Sequence, residues 1–267
     1  VQWAFGLVGG LREGRRIRGR ERSGLDLAGP RPEVLVFLVP CLDEEAVIGG
    51  TVAALLDADP FAEVLVIDDD SDDATAAIAE GFGPRVRVLR RRRPEARLGK
   101  GPALNAGYRY LDGLCHERNV DPDRVVLCVM DADGRLSDGA VEVVLGHFAR
   151  PEVGGLQLPV RIRNTDGLLT RYQDFEFWGV AAIPQVARAS CGSTSLGGNA
   201  QFSRLTALRE LGDEPWSRSL TEDLDLAVSL VIRGWELTST PSAHVSQQGV
   251  ASLQVLLRQR TPAVAVA

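Results

Sequence analysis

The chain predicts an α/β fold with a mostly parallel central sheet and helices on both of its faces. Three observations carry that prediction. Short apolar runs alternate, through the first half, with segments whose apolar residues recur at helical spacing. Acidic residues follow the apolar runs, at the carboxyl ends of strands, where an open sheet of this kind presents its ligands. And 267 residues, 45% apolar and 25% charged, are enough to bury the core of one such domain.

The run at 34–39 is continuously apolar and short, so it reads as a buried strand, and 44–57 then shows helical spacing. A second strand over 63–67 leads into a helix over about 73–80, and a more polar strand over 86–89 leads into a helix over 101–111. Residues 124–130 form the fourth strand. Helices between strands imply right-handed crossovers, which make the strands parallel. The second half differs: 153–163 is extended, 168–189 is one long helical stretch, and 196–202 is short and Gly-rich. A helix over 222–232 is stopped by Gly234, a strand follows over 235–240, and 252–260 is an amphipathic helix. The expected organisation is a basic segment and linker over 1–30, one α/β domain over 31–250, and a helix with a tail over 251–267.

The net charge of −6 argues against a nucleic-acid binder, which needs basic surface to displace counterions. Cys41, Cys115, Cys128 and Cys191 form no Cys-x-x-Cys pair and read as buried free thiols in a reducing compartment. His116, His147 and His244 lack a metal-ligand spacing. No apolar run reaches the roughly 18 to 20 residues of a membrane span. Residues 1–8 are nevertheless mostly apolar and run into Arg12, Arg15, Arg16, Arg18, Arg20 and Arg22. That pattern fits the cytoplasmic flank of a membrane helix, an interfacial anchor, or a solvated basic tail.

The step Asp131-Ala132-Asp133-Gly134 follows the fourth apolar run. Carboxylates two apart on an extended chain point the same way and suit one hard divalent cation, although Asp and Gly also serve as plain turn residues. The first strand ends in Pro40-Cys41-Leu42-Asp43-Glu44-Glu45 and the second in Asp68-Asp69-Asp70-Ser71-Asp72-Asp73. Capping by Ser71, Asp72 or Asp73 and first-turn acids at Glu44 and Glu45 account for part of this, but not for five aspartates in six residues. Asp68 and Asp69 suit the hydroxyls of a ribose and the N–H of a base. Lys100, in the Gly-rich turn 98–107, suits a diphosphate, while Arg90 to Arg93 read as a solvated charge run. Thr221-Glu222-Asp223-Leu224-Asp225 opens a helix that Thr221 could cap, and a helix start keeps a carboxylate ionised, as a general base requires. Gly197-Gly198-Asn199-Ala200-Gln201 lets the backbone approach a ligand closely.

These motifs, taken in chain order with Gly99-Lys100-Gly101-Pro102-Ala103-Leu104-Asn105, resemble the inverting family 2 glycosyltransferases of GT-A fold, in the cellulose, chitin and hyaluronan synthase branch. The resemblance implies a nucleotide-sugar donor, UDP-linked, and a carbohydrate or lipid acceptor at the cytoplasmic face of a membrane. It implies that Pro40, Asp68, Asp69, Lys100 and Asp131 bind the nucleotide, and that Asp131 and Asp133 hold Mg2+ or Mn2+. It further implies that Asp223 takes the acceptor proton, with Gly198, Asn199, Gln201, Glu222 and Gln259 on the donor-sugar and acceptor side. One motif departs: where the branch carries Gln-x-x-Arg-Trp, Gln259 is followed by Pro262 and Ala263 in the Arg and Trp positions. That departure makes a catalytically impaired nucleotide-sugar-binding subunit the rival reading. A sugar-phosphate nucleotidyltransferase is a more distant one, because the first strand is followed by Leu42-Asp43-Glu44-Glu45 and not by a basic Gly-rich loop.

Overall fold

A computed structural model describes residues 2–22 and 32–260 of the chain. In chain order the elements are α1 (Gln2–Arg22), β1 (Val34–Cys41), α2 (Ile48–Ala58), β2 (Glu63–Asp68), α3 (Thr75–Glu80), β3 (Val86–Arg90) and α4 (Lys100–Glu117). They continue with β4 (Val125–Val129), β5 (Arg135–Leu136), α5 (Ala140–His147), β6 (Val153–Gln157), β7 (Val160–Ile162) and α6 (Leu168–Phe175). After a π-helical segment, Glu176–Ala182, come α7 (Ile183–Ala189), β8 (Gln201–Arg204), α8 (Leu205–Arg209), α9 (Glu222–Ile232), β9 (Glu236–Ser239), β10 (Val245–Gln247) and α10 (Leu253–Arg260).

The main sheet runs in the order β3-β2-β1-β4-β8-β6-β9. The first four strands are parallel, as predicted, and β8 is antiparallel to both its neighbours. Alternate residues of β1 explain why its sequence is continuously apolar: Leu35, Phe37 and Val39 pack in one buried layer and Val36 and Leu38 in the other. In α4 a Cβ on Gly107 would sit 2.5 Å from Ile67 Cδ1, so that helix presses on the sheet where only glycine fits. The chain winds outward from β1 through β2 to β3, then returns to place β4 on the other side of β1. The carboxyl ends of β1 and β4 therefore border a topological switch point, the place where such sheets bind ligands.

A small second sheet, β5-β10-β7, joins the segment after β4 to the C-terminal region. Its two- and three-residue strands are too short to leave a periodic signal in the sequence. The long helix expected over 168–189 is helical throughout, with its middle turn widened to π. Pro184 stands just after that turn and has no N–H to donate, which favours a local change of hydrogen-bond pattern.

The N-terminal segment is not a solvated tail. Residues 2–22 form a helix packed on α7, with Ile17 buried beside Val186 and Ala189. A Cβ on Gly10 would lie 2.4 Å from the Ile183 carbonyl oxygen, so the helices meet backbone to side chain, while Arg12, Arg15 and Arg18 stay exposed. Among the described residues no helix is long and apolar enough to cross a membrane. The linker expected before residue 33 lies mostly, and Pro262 and Ala263 wholly, outside the described residues. Of the four cysteines expected to be buried, Cys41, Cys115 and Cys128 are, whereas Cys191 is exposed just beyond the end of α7.

Gly10→Val is expected to undock α1, seen as rapid tryptic cleavage at Arg12 or Arg15 with the sheet domain left intact. Gly19→Ala, which meets nothing within 4 Å, should instead add about 0.5–1 kcal/mol of helix stability and leave cleavage slow.

Candidate active site

Acidic residues gather at the switch-point edge because strand register puts them there: Cys41 pairs with Asp68, and Met130 donates its N–H to the Leu38 carbonyl. The loops after β1 and β2 are knitted together by their own acids. The Asp43 carboxylate accepts the Asp72 N–H at 2.8 Å, Asp73 accepts the Glu45 N–H at 3.0 Å, and Glu45 accepts the Ala74 N–H at 3.0 Å. Asp68 is 1% exposed and accepts the Ser71 N–H at 3.2 Å, so it shapes the loop and does not line a cavity.

The arginine run also belongs to this edge. Arg91 is buried and donates to Asp69, Arg92 and Arg93 pair with Asp70, and Arg90 grips Glu80 with two hydrogen bonds of 3.0 Å. Only part of the run is solvated. Arg97, unremarked in the sequence, donates its backbone N–H to Asp69 at 3.0 Å and its guanidinium to Asp72 at 2.6 Å. These ion pairs account for most of the clustered aspartates.

Two cavities meet at Asp131, beside Lys100. The first, about 420 Å³, is lined by Pro40, Leu42, Glu44, Asp69, Arg97, Lys100 and Asp131. The second, about 390 Å³, has Asp131, Asp223, Gly198 and Asn199 at its polar end and Leu158, Val160, Phe177 and Ala182 on its apolar wall. Lys100 Nζ donates to Asp131 Oδ1 at 2.6 Å and to the Gly198 carbonyl at 2.7 Å. A Cβ on Gly198 would come within 2.9 Å of Lys100 Nζ and 3.8 Å of Asp223 Oδ2, so glycine lets both groups approach the same point.

Asn199 holds this junction together. Its Oδ1 accepts the Asp131 N–H at 3.2 Å and its Nδ2 donates to Gln247 Oε1 at 3.0 Å. Gln157 supports the same loop, accepting the Gly197 N–H at 2.7 Å and donating to the Asn199 carbonyl at 2.7 Å. Gln201 is buried in β8, away from the cavity lining. Gln259 lies on α10, and its side chain is outside the described residues. Thr221 makes no capping bond from its side chain. Asp225 instead accepts the Ser217 and Ser219 hydroxyls at 2.5 and 2.7 Å.

A divalent cation fits Asp131 and Asp133. Lys100 occupies one oxygen of Asp131, and the Gln248 N–H, at 3.0 Å, occupies one of Asp133, which leaves the second oxygen of each for a metal. Among the described residues no three Asp, Glu, His or Cys groups converge on a common point, so a cation held there would take its remaining ligands from outside the protein. Burial first, and then the charges of Asp133 and Asp131, hold the Glu44 carboxyl above its ordinary range, which marks an excess of negative charge at this edge.

Residues 30–264 match the family described as glycosyltransferase like family 2. The chain belongs to that family. It is 31% identical over 239 residues to a beta-monoglucosyldiacylglycerol synthase of Synechocystis, covering 86% of this chain and 47% of that one. It is 25% identical over 215 residues to a poly-beta-1,6-N-acetyl-D-glucosamine synthase of Staphylococcus epidermidis, covering 79% and 49%. The chain thus spans about half the length of these curated relatives. Among solved structures, a mannosyltransferase of Pyrobaculum calidifontis in complex with GDP-Man and Mn2+ superposes with a TM-score of 0.62 at 19% identity, covering 97% of this chain and 72% of its own. TarS of S. aureus in complex with UDP-GlcNAc gives 0.55 at 14% identity, covering 82% and 59%. These likenesses establish the glycosyltransferase GT-A fold.

Beside Asp223, Glu222 is 7% exposed, and burial, then the neighbouring Asp223 charge, raises its pKa. A carboxyl whose pKa folding raises contributes stability that is complete below the ordinary Glu range and is lost as pH rises through the raised value. Glu222→Gln removes that loss. The variant should melt higher than the wild type at pH 8 and no higher at pH 4, as followed by circular dichroism.

Proposed function

We propose that this chain carries the catalytic domain of an inverting glycosyltransferase, using a UDP-linked sugar as donor, a hydroxyl as acceptor and a divalent cation as aid. The observation that carries the reading is the meeting of two cavities at Asp131, with Lys100 in the first of them and Asp223 in the second. The first cavity suits the nucleotide. The Asp69 carboxylate at its wall can accept from a base N–H or a ribose hydroxyl, and Lys100 supplies a cation for the diphosphate.

In the second cavity Asp223 takes the proton of the acceptor hydroxyl as its oxygen bonds to the anomeric carbon. The bond from that carbon to the diphosphate oxygen breaks, and the nucleoside diphosphate leaves with the electron pair. A single displacement of this kind inverts the anomeric configuration. Bound by Asp131 and Asp133, a Mg2+ or Mn2+ ion would supply charge neutralisation on the diphosphate. The acceptor is a carbohydrate or a lipid. The proposed setting is the cytoplasmic face of a membrane. In its support, α6 exposes Leu168, Tyr172 and Phe175, α10 exposes Leu253 and Val255, and α1 exposes Arg12, Arg15 and Arg18.

The test is UDP release across a panel of UDP-sugars with Mg2+ or Mn2+. Asp223→Asn should lower turnover by about 10²–10⁴-fold, the range of a lost general base, with UDP affinity nearly unchanged. Equal turnover in wild type and variant would remove Asp223 from this role. Metal-dependent UDP binding without release from any donor would instead favour a binding subunit.

A further inference from the structure

The acceptor cavity adjoins a second, apolar space at its apolar wall. On the far side of Pro159 and Ala182, which line both spaces, a narrower slot runs between α1 and α7. Gly10, Leu11 and Gly14 of α1 form one side, and Trp178, Ile183, Val186 and Pro241 form the other. Arg18 is the one charged residue on its lining. Gly10 lets α1 approach α7 closely, since a Cβ there would lie 2.4 Å from the Ile183 carbonyl oxygen, while a Cβ on Gly14 would touch Val186 and Pro241 at 3.5 Å. The π-helical turn serves both cavities: Phe177 and Ala181 face the acceptor side, Trp178 faces the slot, and Ala182 stands at the junction.

The geometry points to this slot as a binding site for an alkyl chain, the tail of an amphiphilic acceptor whose hydroxyl lies at Asp223. The role as acceptor site rests on the glycosyltransferase reading above. The occupant follows from size, lining and the two residues shared with the acceptor cavity. At about 90 Å³ the slot is smaller than the roughly 150 Å³ cavity that accommodates benzene, so a pyranose ring does not enter it and an extended chain does. Its walls offer almost no hydrogen-bonding side chains, whereas a glycan needs many. The adjoining cavity passes from carboxylates at Asp131 and Asp223 to the apolar Leu158, Pro159 and Val160, which is the polarity order of a headgroup and its tail. In this arrangement α1 is a wall of the acceptor site.

The experiment titrates n-alkyl β-D-glucosides from butyl to heptyl, as monomers, into the whole chain by isothermal calorimetry. Affinity should rise up to about fourfold per methylene, the equivalent of roughly 0.8 kcal/mol for each buried CH₂. Leu11, 52% exposed on the slot wall, can be replaced without opening the core. Leu11→Asp, and more mildly Leu11→Asn, should flatten the dependence on chain length. An affinity independent of chain length, or a dependence equally steep in wild type and both variants, would overturn the assignment. UDP titrated into the same samples should bind alike in all three. Loss of UDP binding from the wild type would count against the donor site and leave the slot result standing.

Discussion

The Lys100 ammonium, placed between the Asp131 carboxylate and the Gly198 carbonyl, is the contact on which the site depends. It ties the start of α4, the end of β4 and the loop before β8 at one point, across separations of 31 and 98 residues. Asn199 adds a second tie on the same two segments and extends it to β10. With the junction fixed, the cavity beside β1 and the one beside α9 border each other at Asp131. Lys100 also lessens the repulsion that gathers carboxylates at this edge would otherwise suffer, leaving an excess that Glu44 still registers.

Around that junction the loops are held by charge. The aspartates after β2 are paired with Arg91, Arg92, Arg93 and Arg97, and the acids of the two loops exchange hydrogen bonds with one another's backbone. Asp43, Asp70 and Arg97 adopt positive φ, at 58°, 72° and 59°, conformations that side chains other than Gly seldom take. Such backbone persists where its surroundings over-determine it, and here ion pairs do so at Asp70 and Arg97 and hydrogen bonds with Ser71 and Asp72 at Asp43. The same reasoning separates Asp68 from Asp69. Both are buried aspartates, but Asp68 turns back to the Ser71 N–H while Asp69 reaches a cavity wall.

Much of the fold was legible because the first half is built from long, strongly patterned elements. The apolar runs that become β1, β2 and β4 are covered on both faces, and the helices between them keep their spacing. What escaped was short or tertiary in origin. β5, β7 and β10 have too few residues for a period to show, and the antiparallel place of β8 between β4 and β6 rests on partners far off in sequence. The basic N-terminus could not be told from a solvated tail. Its docking depends on Gly10 and Gly14 meeting Ile183, Val186 and Pro241, and no local pattern records that contact.

The sequence by itself placed Asp69, Lys100, Asp131, Asp133 and Asp223, since they follow strands or open helices whose positions periodicity reveals. Tertiary structure alone decided which of the acids face a cavity, which glutamines brace the Gly198 loop, and where the cavity beside Asp223 acquires its apolar wall. The physical reason is range. Strand and helix signals are local, repeating every two or three to four residues, whereas a cavity is bounded by side chains whose proximity exists only after the chain has closed upon itself.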